Sequence, residues 1–408
     1  MVNDTANFIA GFGIIPNDWS CKTANEICTK ISKGTTPSKS EISNEGNIPF
    51  LRVNNLTFYG RLALDSDFIF VSKESHENFL SRSMAFPNDI LMNIVGPPLG
   101  KTALLDDSYP EYNMNQAIVF YRLQKNLVDS KYFLEFLNSF KAQQWLQSRS
   151  KKTSGQQNLT IEICKDLPII LPPLVEQKKI AQILSTWDQA ILATEKLLEN
   201  SQEQKKALMQ QLLTGKKRLL DERGDLFESK FKSSALKELF SINKGQQLNR
   251  DTLSTQGNYA VINGGIEPSG YTDVYNVESN TITISEGGNS CGYISFQRFP
   301  FWCGGHCYAL SNYKLNIEFI YHLLKFNERQ IMRLRVGSGL PNIQKKDLEC
   351  LVVSYPDCEF EQAKIAEVLS LADQEIETLQ KKLDCSKQEK KALMQQLLTG
   401  KKRVKVAA

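Results

Sequence analysis

Two stretches of this chain carry the same stepped pattern. In the first, the repeating face runs through Ile180, Leu184, Trp187, Ile191, Thr194, Leu198, Ser201, Lys205, Leu208 and Leu212, in alternating steps of four and three. In the second it runs through Ile365, Leu369, Ala372, Ile376, Leu379, Leu383, Ser386, Lys390, Leu393 and Leu397. Such stepping is a heptad seam on an α-helix, here interrupted by Ser and Lys at the same two places in both copies. Gln, Lys, Glu, Leu and Ala fill the remaining positions, and neither Gly nor Pro breaks the run. Pro172 and Pro173 precede the first stretch, while Pro356 and Asp357 precede the second, with Asp357 a suitable N-cap. Gly215 and Gly400, each followed by Lys-Lys-Arg, supply a helix stop and cations for its negative end. The pattern predicts two helices of roughly 40 residues, about 60 Å long.

The likeness goes beyond pattern. Glu176–Arg218 aligns without gaps on Glu361–Arg403, with 27 of 43 positions identical, and the closing fourteen residues, KKALMQQLLTGKKR, do not differ at all. Neither helix can bury its seam alone, so each is expected to pack on the other. Domains at opposite ends of the pair would require the helices to run antiparallel, giving a pseudo-two-fold axis within one chain. The Lys-Lys-Arg clusters then read as charge complement on solvated helix ends.

Outside these helices, residues near 1–165 and 228–350 are rich in strand and turn signals. Each has an amphipathic helix late in its span, Lys131–Ser148 in one and Glu318–Arg335 in the other. Asp221–Ser229 (DERGDLFES) reads as the linker between halves. Fainter correspondences join the two segments. ISKGTTP around Gly34 matches INKGQQL around Gly245. ILMNIVGPPLGKTAL matches ITISEGGNSCGYISF, which aligns Gly96 with Gly288 and Gly100 with Gly292. The Ser-Gly turn at 154–159 matches that at 338–343. The chain is therefore a duplicated domain-plus-helix unit whose helices stayed nearly fixed while the globular parts diverged.

Composition adds little. Hydrophobic residues make up 41% and charged residues 23%, which is ordinary for a water-soluble protein, and the net charge of +4 is too small to decide anything. No apolar run is long enough for a membrane span. The N-terminal residues lack the pattern of a secretion signal. Nine cysteines without framework spacing suit reduced thiols in a cytoplasm.

Candidate chemistry is concentrated around the turns. Arg149, Lys151 and Lys152 lead into one Ser-Gly turn, and Arg333 and Arg335 into the other. Cations beside exposed backbone N–H groups suit phosphate oxygens, and nearby amides suit base edges. The candidate DNA contacts are Lys33, Asn54, Asn55, Lys101, Asn115, Gln116, Arg149, Lys151, Lys152, Gln156 and Gln157 in the first half. In the second half they are Lys244, Gln246, Asn289, Arg298, Arg333, Arg335, Ser338 and Asn342.

Other motifs fall short of a site. GPPLGKT (Gly96–Thr102) is one residue short of a P-loop, and its two prolines remove backbone donors, so it reads as a turn between strands. Cys303 and His306 form half of a zinc pattern whose other half is missing. With three histidines, no Asn/Asp-Pro-Pro-aromatic sequence and no cofactor loop, no catalytic or metal site is expected.

Pro172-Pro173-Leu174-Val175-Glu176-Gln177 running into KKIAQIL, and the helix end ALMQQLLTGKKR used twice, resemble the specificity subunit of type I restriction-modification enzymes. The order of variable domain, repeated helix, variable domain, repeated helix also resembles that family. The second repeat departs from it, with YPDCEFEQ (Tyr355–Gln362) in place of the Pro-Pro motif. The resemblance implies an α+β fold: two mixed α/β target recognition domains separated by two long antiparallel coiled-coil helices. It implies recognition domains at 1–165 and 230–350, helical repeats at 166–218 and 351–408, and a linker at 219–229. Further, it implies a non-catalytic subunit in a bacterial or archaeal cytoplasm that binds double-stranded DNA at a split, non-palindromic site. Two methyltransferase and two endonuclease/translocase subunits would be its partners, carrying S-adenosylmethionine, ATP and Mg²⁺. An adaptor that joins two proteins without touching DNA is the alternative.

Overall fold

A computed structural model describes residues 7–63, 68–153, 156–337, 339 and 341–405. The chain divides into two compact units, Met1–Glu195 with Lys382–Ala408, and Lys196–Lys381. Each unit therefore contains part of both long helices, which span Leu174–Leu212 and Glu359–Leu397, 39 residues apiece.

In the first unit a four-stranded antiparallel sheet has the order Thr102–Leu104, Ile90–Asn93, Ile118–Leu123, Cys28–Lys33. Both faces of its central strands are buried. Ile90, Met92, Val119 and Tyr121 pack with the helices, while Leu91, Ile118 and Phe120 pack under a second, mixed sheet. Side chains alternate between faces of a strand, so these strands need apolar residues at every position. In the second sheet Asn113–Met114 runs parallel to Pro49–Leu51, which pairs antiparallel with Ile69–Val71.

The second unit repeats this topology. Its four-stranded sheet has the order Ile294–Gln297, Thr281–Ser285, Cys307–Ser311, Ser241–Lys244, and its second sheet again holds one parallel pair, Tyr259–Ile262 with Trp302–Cys303. The strand leading into the second long helix, Val352–Pro356, pairs with Phe231–Ala235. Pro168–Leu171 pairs with Ser20–Thr23 in the same way before the first.

Each predicted late helix is in fact two. Ser130–Asn138 and Phe140–Arg149 meet at Ser139, whose backbone is extended and whose Oγ accepts from the Ala142 N–H. Ile317–Phe326 and Glu328–Met332 meet at Asn327. Apolar spacing continues across both breaks, which is why the pattern alone reads as one helix. Asp357 is not an N-cap either. The second long helix starts at Glu359, and the Asp357 carboxylate pairs with Lys232 Nζ.

None of the seam residues is exposed. Ile180 and Leu184 join Leu397 in the core of the first unit, and Leu212 joins Ile365 and Leu369 in that of the second. Truncating one such leucine to alanine typically costs about 3 kcal/mol. Within the first unit Glu176 meets Arg403 and Asp188 meets Lys390. Within the second, Glu361 meets Arg218 and Asp373 meets Lys205. In each case one partner number rises as the other falls, so the helical segments in each unit are antiparallel. The lysines that interrupt the seam are therefore placed for the aspartates of the opposing helix. Gly215 and Gly400 end the helices with φ of 71° and 73°, a left-handed conformation that favours glycine.

Candidate nucleic-acid interface

At one end of the first sheet four loops are laced together by backbone hydrogen bonds. Gly34 N–H donates to Ile118 O, Ile94 N–H to Ala117 O and Leu159 N–H to Ile94 O, at 2.9, 2.8 and 2.8 Å. The hairpin of Lys151–Thr153 and Gln156–Asn158 adds to Val95–Gly96. Gly34 is needed here because a Cβ would lie 2.0 Å from the Asn115 carbonyl oxygen. Lys33, Asn115, Gln116, Lys151 and Gln157 are thus brought onto neighbouring loops, with Lys33, Gln116 and Lys151 exposed. Lys101 stands at the same sheet end, its N–H donating to Asn93 Oδ1 and its Nζ 5.9 Å from the ring centre of exposed Phe58. This shapes GPPLGKT as a turn between strands, with Asn93 also donating to Pro98 O.

Other candidates have different surroundings. Asn54 is exposed, but its neighbour Asn55 is fully buried, with Oδ1 accepting from the Arg52 N–H. A short 3-10 turn over Val53–Asn55 sends the two side chains opposite ways, so Asn55 holds the loop and does not face solvent. Arg149 lies over the Trp145 ring at 4.1 Å. The side chains of Lys152 and Gln156, and Ser338 as a whole, lie outside the described residues. Arg82 was not legible as a candidate, yet its Nε donates to Thr35 Oγ1 at 2.9 Å beside the Lys33–Gly34 loop.

The four-stranded sheet of the second unit is laced in the same way. Gly245 N–H donates to Cys307 O, Glu286 N–H to His306 O and Ile343 N–H to Glu286 O, at 2.9, 2.9 and 2.8 Å. Lys244, Gln246, Asn289 and Asn342 share this end, all but half-buried Asn342 exposed. Arg333 and Arg335 are exposed just after Met332, whose backbone packs against Gly292 of the same loop system. Arg298 is elsewhere. It follows Gln297, which pairs with Thr281 at the far end of the sheet, so a single strand length separates it from the other candidates. Cys303 and Cys307 are buried while the His306 side chain is 65% exposed, so the half zinc pattern does not converge. Among the described residues no group of three or more His, Cys, Asp or Glu is placed to hold a metal ion.

The helix ends explain the motifs that surround these domains. Arg403 Nε and Nη2 donate to the two oxygens of Glu176 at 2.8 and 2.7 Å, and its guanidinium also binds Asp18. Arg218 binds Glu361 in the same bidentate way. Gln177 and Gln362, which follow those glutamates, donate back to Pro172 O and Pro356 O at 2.9 and 2.8 Å. The final Arg of each repeat is therefore a structural ion pair, and Lys216, Lys217, Lys401 and Lys402 are left exposed. The Glu-Gln dipeptide keeps its role in the second copy despite the altered residues before it.

The two units differ where each domain meets the helices. Lys390 Nζ lies 2.7 Å from Asp188 and 3.2 Å from Glu135 Oε1 of the helix Ser130–Asn138. Burial pushes the Glu135 carboxyl up to about 7, against the pull of Lys390. In the second unit, Ile317–Phe326 brings His322 to Asp373 and Ser370 instead, and burial with help from Lys205 pushes its imidazole down to about 4.

Comparison with known proteins decides the family. The family model described as "Type I restriction modification DNA specificity domain" matches twice, at residues 16–202 and 228–384. The chain belongs to that family. This specificity subunit is 26% identical over 422 residues to a putative type I restriction enzyme MjaX specificity subunit of Methanocaldococcus jannaschii, covering 96% of both chains. A putative type I specificity subunit of Mycoplasma genitalium is 35% identical over 144 residues, covering 35% of this chain and 37% of the relative. In fold, the specificity subunit resembles the crystal structure of a type I S subunit from M. genitalium with TM-score 0.68 at 21% identity, covering 97% of each chain. A structure described as underlying complex assembly and conformational transition of a type I system gives 0.53 at 15% identity, covering 95% and 99%. The α+β architecture is accordingly that of a type I specificity subunit with two recognition domains joined by long helices.

Proposed function

We propose that the two domains read the two halves of a split, non-palindromic DNA site and that the helices set their spacing and carry the catalytic partners. The observation that carries this reading is a contrast within one chain. Both domains present the same four laced loops at the same sheet end, yet with different side chains: Ile94 and Ala117 in one, Glu286 and His306 in the other. One scaffold with two sets of loop residues suits two base sequences.

The platform role is supported by the fourteen identical residues. Seam identity can follow from packing, but exposed identity cannot. Lys206, Ala207, Gln210, Gln211, Lys216 and Lys217 are exposed, and so are their counterparts in the second copy. A surface presented twice suits two identical partners, which we assign as methyltransferase subunits, with two endonuclease subunits joining them. S-adenosylmethionine, ATP and Mg²⁺ would belong to those subunits, leaving this chain without a catalytic step of its own. No helix among the described residues is long and apolar enough to cross a membrane. Bacterial or archaeal cytoplasm is the setting this reading requires.

The test is single-molecule methylation mapping of DNA from cells expressing the chain with its methyltransferase partner. A bipartite motif with two different halves is expected, together with DNA affinity that falls steeply as salt rises. A perfect palindrome would refute the two-sequence reading. Partner assembly without salt-sensitive DNA binding would instead favour a protein adaptor.

A further inference from the structure

The second domain carries a polar cluster around Glu286 where the first, apart from a shared lysine, has apolar residues. Glu286 sits at the end of the strand Thr281–Ser285 with its side chain only 6% exposed. Its Oε1 accepts from Lys244 Nζ at 2.7 Å and lies 3.1 Å from the Tyr308 hydroxyl, which is also 3.0 Å from Ile343 O. Its Oε2 is buried and has no hydrogen-bond partner among the described residues. The imidazole nitrogen of His306, Nδ1, stands 4.0 Å from that oxygen, and the rest of the ring faces solvent.

The lacing bonds identify the matching positions in the first domain. Glu286 N–H to His306 O corresponds to Ile94 N–H to Ala117 O, and Gly245 N–H to Cys307 O corresponds to Gly34 N–H to Ile118 O. Lys33 therefore stands for Lys244, Ile94 for Glu286, Ala117 for His306 and Val119 for Tyr308. The fold does not require the carboxylate, since Ile94 fills its place. Burying a carboxylate with one oxygen unpaired is costly, so its presence calls for another reason.

Resting on the DNA reading above, we infer that His306 is a DNA contact of the second domain and that Glu286 is the positioning residue that aims it. A small turn of the exposed ring would close the 4.0 Å gap, so that the doubly protonated imidazole could donate Nδ1–H to Glu286 Oε2 and Nε2–H to an acceptor on the DNA. That acceptor is either the O6/N7 edge of guanine or a phosphate oxygen. Lys244, held on the other carboxylate oxygen, supplies a second donor beside it. The first domain, with Ala117 and Ile94, offers neither the imidazole nor its support.

The test uses the full chain with its methyltransferase partner and a duplex carrying the sequence that the wild-type complex methylates. His306→Ala and Glu286→Ile introduce the first-domain residues, and Glu286→Gln keeps the shape of the side chain. About ten-fold weaker binding is expected for His306→Ala. A guanine contact relaxes one position of one half-site and leaves the other half unchanged. Phosphate contact leaves both motifs unchanged and lowers the salt slope by about one. Glu286→Gln, with unchanged thermal melting, should reproduce the His306→Ala effect and add nothing when combined with it. Unchanged affinity and motif in His306→Ala overturns the contact, and additive effects overturn the positioning. A wild-type complex that shows no salt-dependent DNA binding overturns the functional reading itself.

Discussion

The guanidinium of Arg218 grips the carboxylate of Glu361 with two hydrogen bonds of 2.6 Å, and Arg403, 185 residues after Arg218, grips Glu176, 185 residues before Glu361, at 2.8 and 2.7 Å. Glu361 is 1% exposed, so removing the arginine strands a buried charge. Loss of one member of such a pair typically costs about 3 kcal/mol or more, far above an exposed pair. Arg218→Met should lower the denaturant midpoint of the second unit accordingly, and Arg218→Met with Glu361→Leu should recover much of the loss. Equal stability of the single variant and the wild type would show that the pair contributes nothing.

Glu135 gives a pH signature with a definite sign. Its carboxyl is raised from 4.5 to about 7 by burial, so the folded chain holds its proton where the unfolded chain releases it. The resulting stability is complete below about 4.5 and is lost as pH rises through about 7. Relative to Glu135→Gln, which cannot titrate, the wild type should become progressively less stable over that window and change no further above it. Melting curves for both proteins across the window measure this. A constant difference would place the carboxyl in its ordinary range.

If the helices set the spacing of the half-sites, as proposed above, helix length should set the gap. Four residues inserted at equivalent positions of both long helices add about 6 Å of rise to each. That is close to two base-pair steps of B-DNA. The methylated half-sites of such a variant should lie one or more base pairs further apart, with their sequences unchanged. An unchanged gap in the methylation map would exclude the helices as the spacing element.

The legible parts of this molecule are those with a one-dimensional signature. Ile180 through Leu212 announce a helix face by spacing, and duplication announces the shared topology. The lysines at 205 and 390 were visible as breaks in the seam, but their partners were not. Asp188 and Asp373 become neighbours of those lysines only once an antiparallel register is chosen, and spacing along one helix does not choose it. Asn54 and Asn55 are adjacent amides, and a single 3-10 turn separates a solvent-facing side chain from a buried one. In the sequence Arg298 groups with the other cations, because turns and strands do not declare which end of a sheet they occupy. Glu286 and His306 are 20 residues apart and flank different strands, one following Thr281–Ser285 and the other preceding Cys307–Ser311, so nothing local links them.

The pairing between the two helices is blind to which molecule supplies them. Any first helix of this kind offers Glu176 and Asp188, and any second helix offers Lys390 and Arg403, whether or not a backbone connects them. What keeps a chain closed on its own helices is the high effective concentration set by the intervening domain, not chemical discrimination. At concentrations that approach it, neighbouring chains would exchange segments. Under the proposed function, two chains sharing the repeat but differing in their loops would then assemble into hybrids that join one recognition half from each, without any change in the genes that encode them.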